Sequence, residues 1–216
     1  MSQTLPRHLV LHKPAHWPND PLVATWPWPE LAPLPPLRLA DGSGPAQQQT
    51  TVRLCYDAAA LYLRFDCQDD DIWGTYGHRD DPIYDEEVVE LFLGPGQADL
   101  TRYFEIEISP NGVLFDAAIY NPTSQRSELE IDTGWDGPGL AWQAGRADEA
   151  NHWWATLTIP WAAVSPSPSP ARLWRANFYR IERPRHGQTE FSCWSPTMTE
   201  PADFHKPAYF GYLELG

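Results

Sequence analysis

An all-β fold, an antiparallel β-sandwich or jelly roll with little helix, is what this chain predicts, on three observations. Its 216 residues include 23 prolines and 14 glycines, spread along the length, which excludes a helical bundle because proline removes a helix hydrogen bond and clashes with the turn before it. Segments of period-two hydrophobic alternation recur at short intervals between turn residues. A hydrophobic fraction of 42% can fill one core, and sandwiches and barrels often run past about 200 residues as single domains.

Residues 1–50 are proline-rich and weakly patterned, with "PWPELAPLPPL" followed by "DGSGPAQQQ". They are expected to form an N-terminal arm packed on the domain, with one edge strand and a flexible end. The sandwich proper then spans 51–216. It starts with "TVRLCYD" and "ALYLRFDCQD", a hairpin around the short "AAA" connection. "VVELFLG" comes next, then "RYFEIEIS" and "VLFDAAIYN" across a Pro-Asn-Gly turn, then "LAWQAGRA" and "HWWATLTIP". "WRANFYRIER", "EFSCWSP" and "YFGYLEL" end the series. Helix is limited to short pieces: "PIYDEEVV" offers one turn, with Asp81 as cap and Pro82 at its first position, and "PWAAV" another. "SPSPSP", residues 165–170, is an exposed loop.

Fifteen basic against 29 acidic residues give a net charge of −14, which repels phosphate backbones and anionic headgroups and argues against nucleic acid or membrane as partner. No stretch approaches the roughly 18 apolar residues of a membrane span, and "MSQTLPRHLVLHKPAHWPND" lacks the apolar run of a secretory signal. As written the chain is expected to be cytoplasmic, or secreted if a leader was trimmed. Cys55, Cys67 and Cys193 form no CxxC unit and are expected as buried free thiols, with a Cys55–Cys67 bridge as the alternative. Eleven tryptophans are hard to bury in one core, so some of them, or neighbouring tyrosines, should face solvent or ligand. Oligomeric state is open.

Alternation assigns the charges to faces. Glu90 shares a face with Val88 and Phe92, opposite Val89, Leu91 and Leu93. Tyr103, Glu105 and Glu107 stand opposite Phe104, Ile106 and Ile108, and Tyr62, Arg64 and Asp66 opposite Leu61, Leu63 and Phe65. Phe178, Arg180 and Glu182 share one side of their strand, and Asn177, Tyr179 and Ile181 the other. One sheet is therefore expected to carry a second face furnished with Arg64, Asp66, Glu90, Glu105, Glu107 and tyrosines. Any half-solvated sheet alternates in this way, yet carboxylates, arginines and aromatics together also suit a sugar, which offers both hydroxyls and a flat apolar ring. Within "RDDPIYDEEVVELFLGPG", Glu90 is the candidate hydroxyl acceptor and Tyr84 the candidate plate, while Asp80, Asp81, Asp85, Glu86 and Glu87 are expected as solvated turn residues. The alternative partner for Glu90 is Arg64 or Arg180.

Together "LYLRFDCQDDDI", "DDPIYDEEVVELFLGPG", "YFEIEISPNG", "WWATLTIPW", "NFYRIER" and "WSPT…FHKPAYFGYLEL" resemble the family 9 carbohydrate-binding modules, a β-sandwich family, over about 51–216. The resemblance implies a non-catalytic carbohydrate binder in which Tyr84 and Phe204 stand where two aromatics sandwich the sugar and Glu90 where a glutamate bonds its hydroxyls. Tyr179 falls near a sugar-binding glutamine of the family. Glu105 falls near a family arginine, reversing the charge, and a family asparagine has no counterpart around Pro201 and Ala202. The expected ligand set is Tyr84, Glu90, Phe204, Tyr179, Glu105 and Arg64. No cofactor is required; family members carry calcium structurally, and Asp69, Asp70, Asp71, Asp80 and Asp81 are its candidate ligands.

Three other readings stay open. A glycan-processing enzyme of glycoside hydrolase type could pair Glu90 with Glu105 or Glu107 at ~5 Å or ~6.5–9.5 Å, although no E-x-D-x-x-E strand motif is present. A haem-binding domain of the related DOMON type could use Met198 with His205 or Lys206. The third reading is a domain whose ligand is protein.

Overall fold

The computed structural model describes residues 4–18, 20–22, 26–96, 99–165, 167 and 170–216; of the serine-proline loop, 166, 168 and 169 lie outside the described residues. β1 (Arg7–Val10) and β2 (Arg38–Leu39) lie in the arm, and β3 (Thr50–Tyr56) with β4 (Ala60–Gln68) form the expected hairpin. β5 (Val88–Pro95), β6 (Arg102–Ile108) and β7 (Leu114–Tyr120) make an antiparallel meander. β8 (Glu130–Asp132), three exposed residues, had no hydrophobic alternation to announce it. β9 (Ala141–Ala147), β10 (His152–Pro160), β11 (Leu173–Glu182), β12 (Glu190–Cys193) and β13 (Gly211–Leu215) follow their predicted segments.

Both short helical pieces exist. "PWAAV" gives α1 (Trp161–Val164), and "PIYDEEVV" gives one 3-10 turn, Ile83–Asp85, without a side-chain cap. Asp81 instead accepts the backbone N–H groups of Gly77 and His78 at 3.1 and 2.8 Å, fixing the preceding loop.

The larger sheet runs β1-β13-β11-β5-β6-β7-β8, with β12 also on β11 and β2 on β12; the smaller runs β3-β4-β10-β9. β11 organises the larger one. One edge pairs with β5 from Trp174 to Ile181, while the other is divided between β13, at Leu173–Ala176, and β12, at Tyr179–Glu182. Residues 194–210 must therefore leave and rejoin the same strand edge, and they do so over the outer face of the sheet.

Val89, Leu91, Leu93, Ile106 and Ile108 of the larger sheet meet Leu61, Leu63, Phe65, Trp153 and Leu157 of the smaller in the main core. The alternate residues were expected on a half-solvated face. They are covered instead: Val88, Phe92, Tyr103, Phe115, Tyr179 and Ile181 form a second apolar cluster with Phe204 and Phe210 from the 194–210 segment.

The arm absorbs much of the tryptophan surplus. Trp17, Trp26 and Trp28 pack with Cys55, Ala60 and Tyr62, and Val10, Leu34, Leu37 and Ala46 enter the main core. All three cysteines are buried and free. Cys55 pairs in register with Tyr62, and Cys67 with Thr50, so the alternative bridge is out of reach. Among the described residues no helix is long and apolar enough to cross a membrane.

Candidate functional site

The outer face of the larger sheet holds a cavity of about 470 Å³. Register builds its floor. Glu90 of β5 lies between Tyr179 of β11 and Glu107 of β6, and Phe92, two residues on, lies beside Glu105. Alternation within "VVEL" and "FEIEI" thus places three carboxylates on one face of adjacent strands. One carboxylate atom from each of Glu90, Glu105 and Glu107 lies within 4.8 Å of the other two. The three residues are only 2%, 5% and 1% exposed, respectively.

The walls are largely aromatic. Tyr84, at 41% exposure, stands edge-on to Phe115 with centroids 5.4 Å apart. Phe204, which also lines the cavity, lies nearly parallel to Tyr179 at 4.2 Å and edge-on to Phe191 at 6.0 Å. Tyr179 is wholly buried and donates its hydroxyl to the carbonyl of Phe204 at 3.0 Å. It therefore holds the plate in place from beneath and does not line the cavity. Beyond Phe204, His205 bonds through Nδ1 to the Tyr103 hydroxyl at 2.9 Å, and its Nε2 stands 3.9 Å from Glu105. At the rim Asp203 is held by Lys206 at 2.7 Å and Arg126 at 3.6 Å.

Burial dominates the electrostatics, because a desolvated carboxylate favours its neutral form. It drives Glu90 well above the usual carboxylate range, helped by the charge of Glu105. Glu107 is raised likewise by burial and by both neighbouring glutamates. Burial lifts Glu105 to about 7 against the opposing pull of Glu107 and Arg126. His205 is lowered to about 4 by burial and by Arg126, so it stays neutral and supplies no counter-charge. Among the described residues no donor reaches Oε2 of Glu105 or Oε2 of Glu107.

Tyr84, Glu90, Glu105 and Phe204 all line this one cavity. Arg64 does not: β4 belongs to the smaller sheet, and there the Arg64 guanidinium bonds Asp66 at 2.8 Å and covers the Trp154 ring. Arg180 faces the sandwich interior, where it bonds Asp69 at 2.8 Å. Neither arginine pairs with Glu90. The expected ligand set left out Glu107, although its parity had placed it on the same face as Glu105, and also Phe115 and Phe191; the partners of Phe191 depend on how β12 docks, which no local pattern records.

Two residues of the acidic run were wrongly expected in solvent. Glu86 is buried and accepts the Thr75 N–H at 2.7 Å, tying down the turn that carries Tyr84. Glu87 is fully buried and gathers with Asp69 and Glu182 in a second carboxylate triad. Burial raises Glu87 to about 9 and Glu182 to about 7. This triad fits a metal poorly, because the Arg180 guanidinium and the Trp153 N–H already occupy Asp69 Oδ2, at 2.8 and 3.0 Å.

The five expected calcium ligands are not gathered at one point. Asp70 accepts Gln48 and Asn151, Asp71 pairs with Arg185, and Asp80 lies near Arg79. The haem set is dispersed too: Met198 is half exposed, and Lys206 is held by Asp203 and the Ser124 carbonyl. A larger cleft of about 1170 Å³ adjoins the cavity across Phe191 and Ala202. Carboxylates such as Asp70, Asp71 and Glu182 line it too, but Phe191 is its one phenylalanine, tyrosine or tryptophan among the described residues, whereas Tyr84, Phe92, Phe115, Phe191 and Phe204 line the smaller cavity, which is therefore the candidate site.

With this geometry in hand, comparison with known proteins is direct. The family model for carbohydrate-binding family 9 matches residues 43–215. An "Extracellular protein" of Arthroderma benhamiae is 30% identical over 173 residues, 75% of this chain and 76% of its own length. A provisionally named carbohydrate-binding protein of Bacteroides uniformis superposes with a TM-score of 0.77 at 17% identity, covering 99% of this chain and 100% of that one. A family 9 module from Caldicellulosiruptor kristjanssonii, solved with cellotriose, gives 0.64 at 14% identity, over 97% of this chain and 93% of that one. The same organism's module with glucose gives 0.63 at 14% identity, over 98% and 96%.

Proposed function

Because the chain belongs to carbohydrate-binding family 9, we propose that it is a non-catalytic carbohydrate-binding domain that holds its sugar in the outer-face cavity. The observation that carries this reading is the meeting of aromatic walls and buried carboxylates in a space of about 470 Å³, inside the roughly 300–1,000 Å³ of small-ligand pockets. The sugar's C–H face lies against Phe204 and the exposed ring of Tyr84. Its hydroxyls donate to Glu90, Glu105 and Glu107; among the described residues no donor meets Oε2 of Glu105 or Oε2 of Glu107. Tyr179 acts as a positioning residue under Phe204.

The carboxylates sit side by side on one floor, which favours binding over hydrolysis, where two carboxyl groups must flank the scissile bond. The structural neighbours hold glucose and cellotriose, so glucose and cello-oligosaccharides are the first ligands to try. The name of the Arthroderma benhamiae relative favours an extracellular site of action over the cytoplasmic expectation.

A thermal-shift screen of mono- and oligosaccharides tests the reading. A sugar should raise the melting temperature of the protein and leave Glu90→Gln unmoved. No shift with any sugar would overturn the reading in favour of a protein ligand.

A further inference from the structure

One arginine of the cavity has no partner of its own. Arg183 follows β11 by one residue, and the alternation of that strand carries on through it, so that Ile181 and Arg183 both line the cavity. Its backbone is held on both sides: the N–H donates to Glu87 at 3.2 Å, and the carbonyl accepts the Trp73 N–H at 2.6 Å. The guanidinium stands over the Phe191 ring, 6.0 Å from its centroid. Beyond that ring contact the partly buried side chain forms no hydrogen bond or ion pair among the described residues, and its Nε is buried without an acceptor.

The other described arginines that are buried or partly buried are finished by the chain itself. Arg53 and Arg64 pair with Asp66, Arg180 pairs with Asp69, and Arg175 donates to the carbonyls of Pro207 and Phe210. Arg126, which also lines the cavity, pairs with Asp203. A guanidinium carries five N–H donors in a rigid fork and no acceptor, and donors withdrawn from water without acceptors are costly. Arg183 thus adds unmatched donors to a space floored by Glu90, Glu105 and Glu107, with none of which it forms an ion pair.

The chemistry of the two sides limits what can lie between them. An ammonium group would face the charge of the guanidinium, and a carboxylate would join three acidic groups already crowded out of water. A hydroxyl accepts through its oxygen while donating its hydrogen, and so satisfies both sides without adding charge.

We infer that Arg183 is a specificity-determining residue of the cavity, whose guanidinium donates to a hydroxyl of a neutral sugar that in turn donates to the glutamate floor. This rests on the sugar reading above and goes beyond it in selecting neutral sugars over acidic ones.

The test is calorimetric titration of glucose, cellotriose, the monodeoxy glucoses and glucuronate into the wild-type protein, Arg183→Met and Arg183→Lys, with melting curves confirming that both variants are folded. Methionine keeps an unbranched stem beside Phe191 and removes the donors. Glucose and cellotriose should bind Arg183→Met about tenfold or more weakly, and Arg183→Lys, which keeps a charged donor without the fork, should fall in between. One monodeoxy glucose should lose the same factor on the wild type and yet bind Arg183→Met as well as glucose does, because the contact it lacks is already gone. A purely structural role would instead weaken every sugar in the same proportion. That proportional loss, or glucose and cellotriose bound equally by wild type and Arg183→Met, would overturn the role of Arg183 and leave the sugar reading intact. Glucuronate bound more tightly than glucose would overturn the choice of a neutral ligand. Binding of none of these sugars by the wild type would remove this inference together with glucose and cello-oligosaccharides as ligands.

Discussion

The larger sheet shapes two triads of buried carboxylates, and they are finished differently. Asp69, Glu87 and Glu182 lie toward the interior of the sandwich with Arg180 among them; its guanidinium bonds Asp69 and the Gln68 carbonyl, and Trp153 donates to the same Asp69 oxygen. Glu90, Glu105 and Glu107 lie on the outer face, where among the described residues no arginine forms an ion pair with them, and open into a cavity with aromatic walls. Where the fold needs a buried acidic cluster for itself, it provides the cation. Where it leaves the cluster uncompensated, the missing partner marks a place for a ligand.

The comparison can be broken most forcefully at Arg180. Arg180→Met strands the interior triad, and urea unfolding at pH 7 should show a loss of about 3–5 kcal/mol; a loss below about 1 kcal/mol would mean that the arginine is not what neutralises it. Phe204→Ala, on the other face, removes a buried ring stacked on Tyr179 and should cost about 3 kcal/mol together with sugar binding.

Protonation sharpens the contrast. The Glu182 carboxyl moves from its ordinary 4.5 to about 7 in the folded chain, so between those values the folded state holds more proton than the unfolded one. Its stabilising contribution is therefore complete below pH 4.5 and is lost as pH rises through about 7. Stability should fall across this interval by up to roughly 3 kcal/mol, and Glu182→Gln should flatten that part of a melting-temperature profile against pH. Smaller still, Tyr84→Ala should change stability by no more than about 0.5 kcal/mol while weakening sugar binding about tenfold, which for a partly exposed stacking ring is on the order of 1.4 kcal/mol. Arg64→Ala, on the far sheet, should leave sugar binding unchanged.

What the sequence could reveal depended on how local the information was. Alternation within single strands placed Glu90, Glu105 and Glu107 on one side of their strands and Leu91 and Ile106 on the other, because side-chain period is a property of the strand itself. It could not say which sheet a strand joins, and Arg64 was assigned to a face it never reaches. It could not supply register either. Arg180 pairs opposite Val89 and Tyr179 opposite Glu90, so the suggested Glu90–Arg180 pair fails by one position, enough to send a side chain to the other face. The cover over the outer face was hidden for a similar reason. β12 and β13 share one edge of β11, and that long-range choice carries Phe204 back over Tyr179.

One paired measurement goes to the centre of the account: titrate sugar into Glu90→Gln and Glu182→Gln, one residue from each triad, alongside the wild-type protein. The account predicts that Glu90→Gln stays folded and loses the sugar, while Glu182→Gln binds it as the wild type does. Equal binding by both variants would contradict it, because the uncompensated triad would then be no more a ligand site than the compensated one.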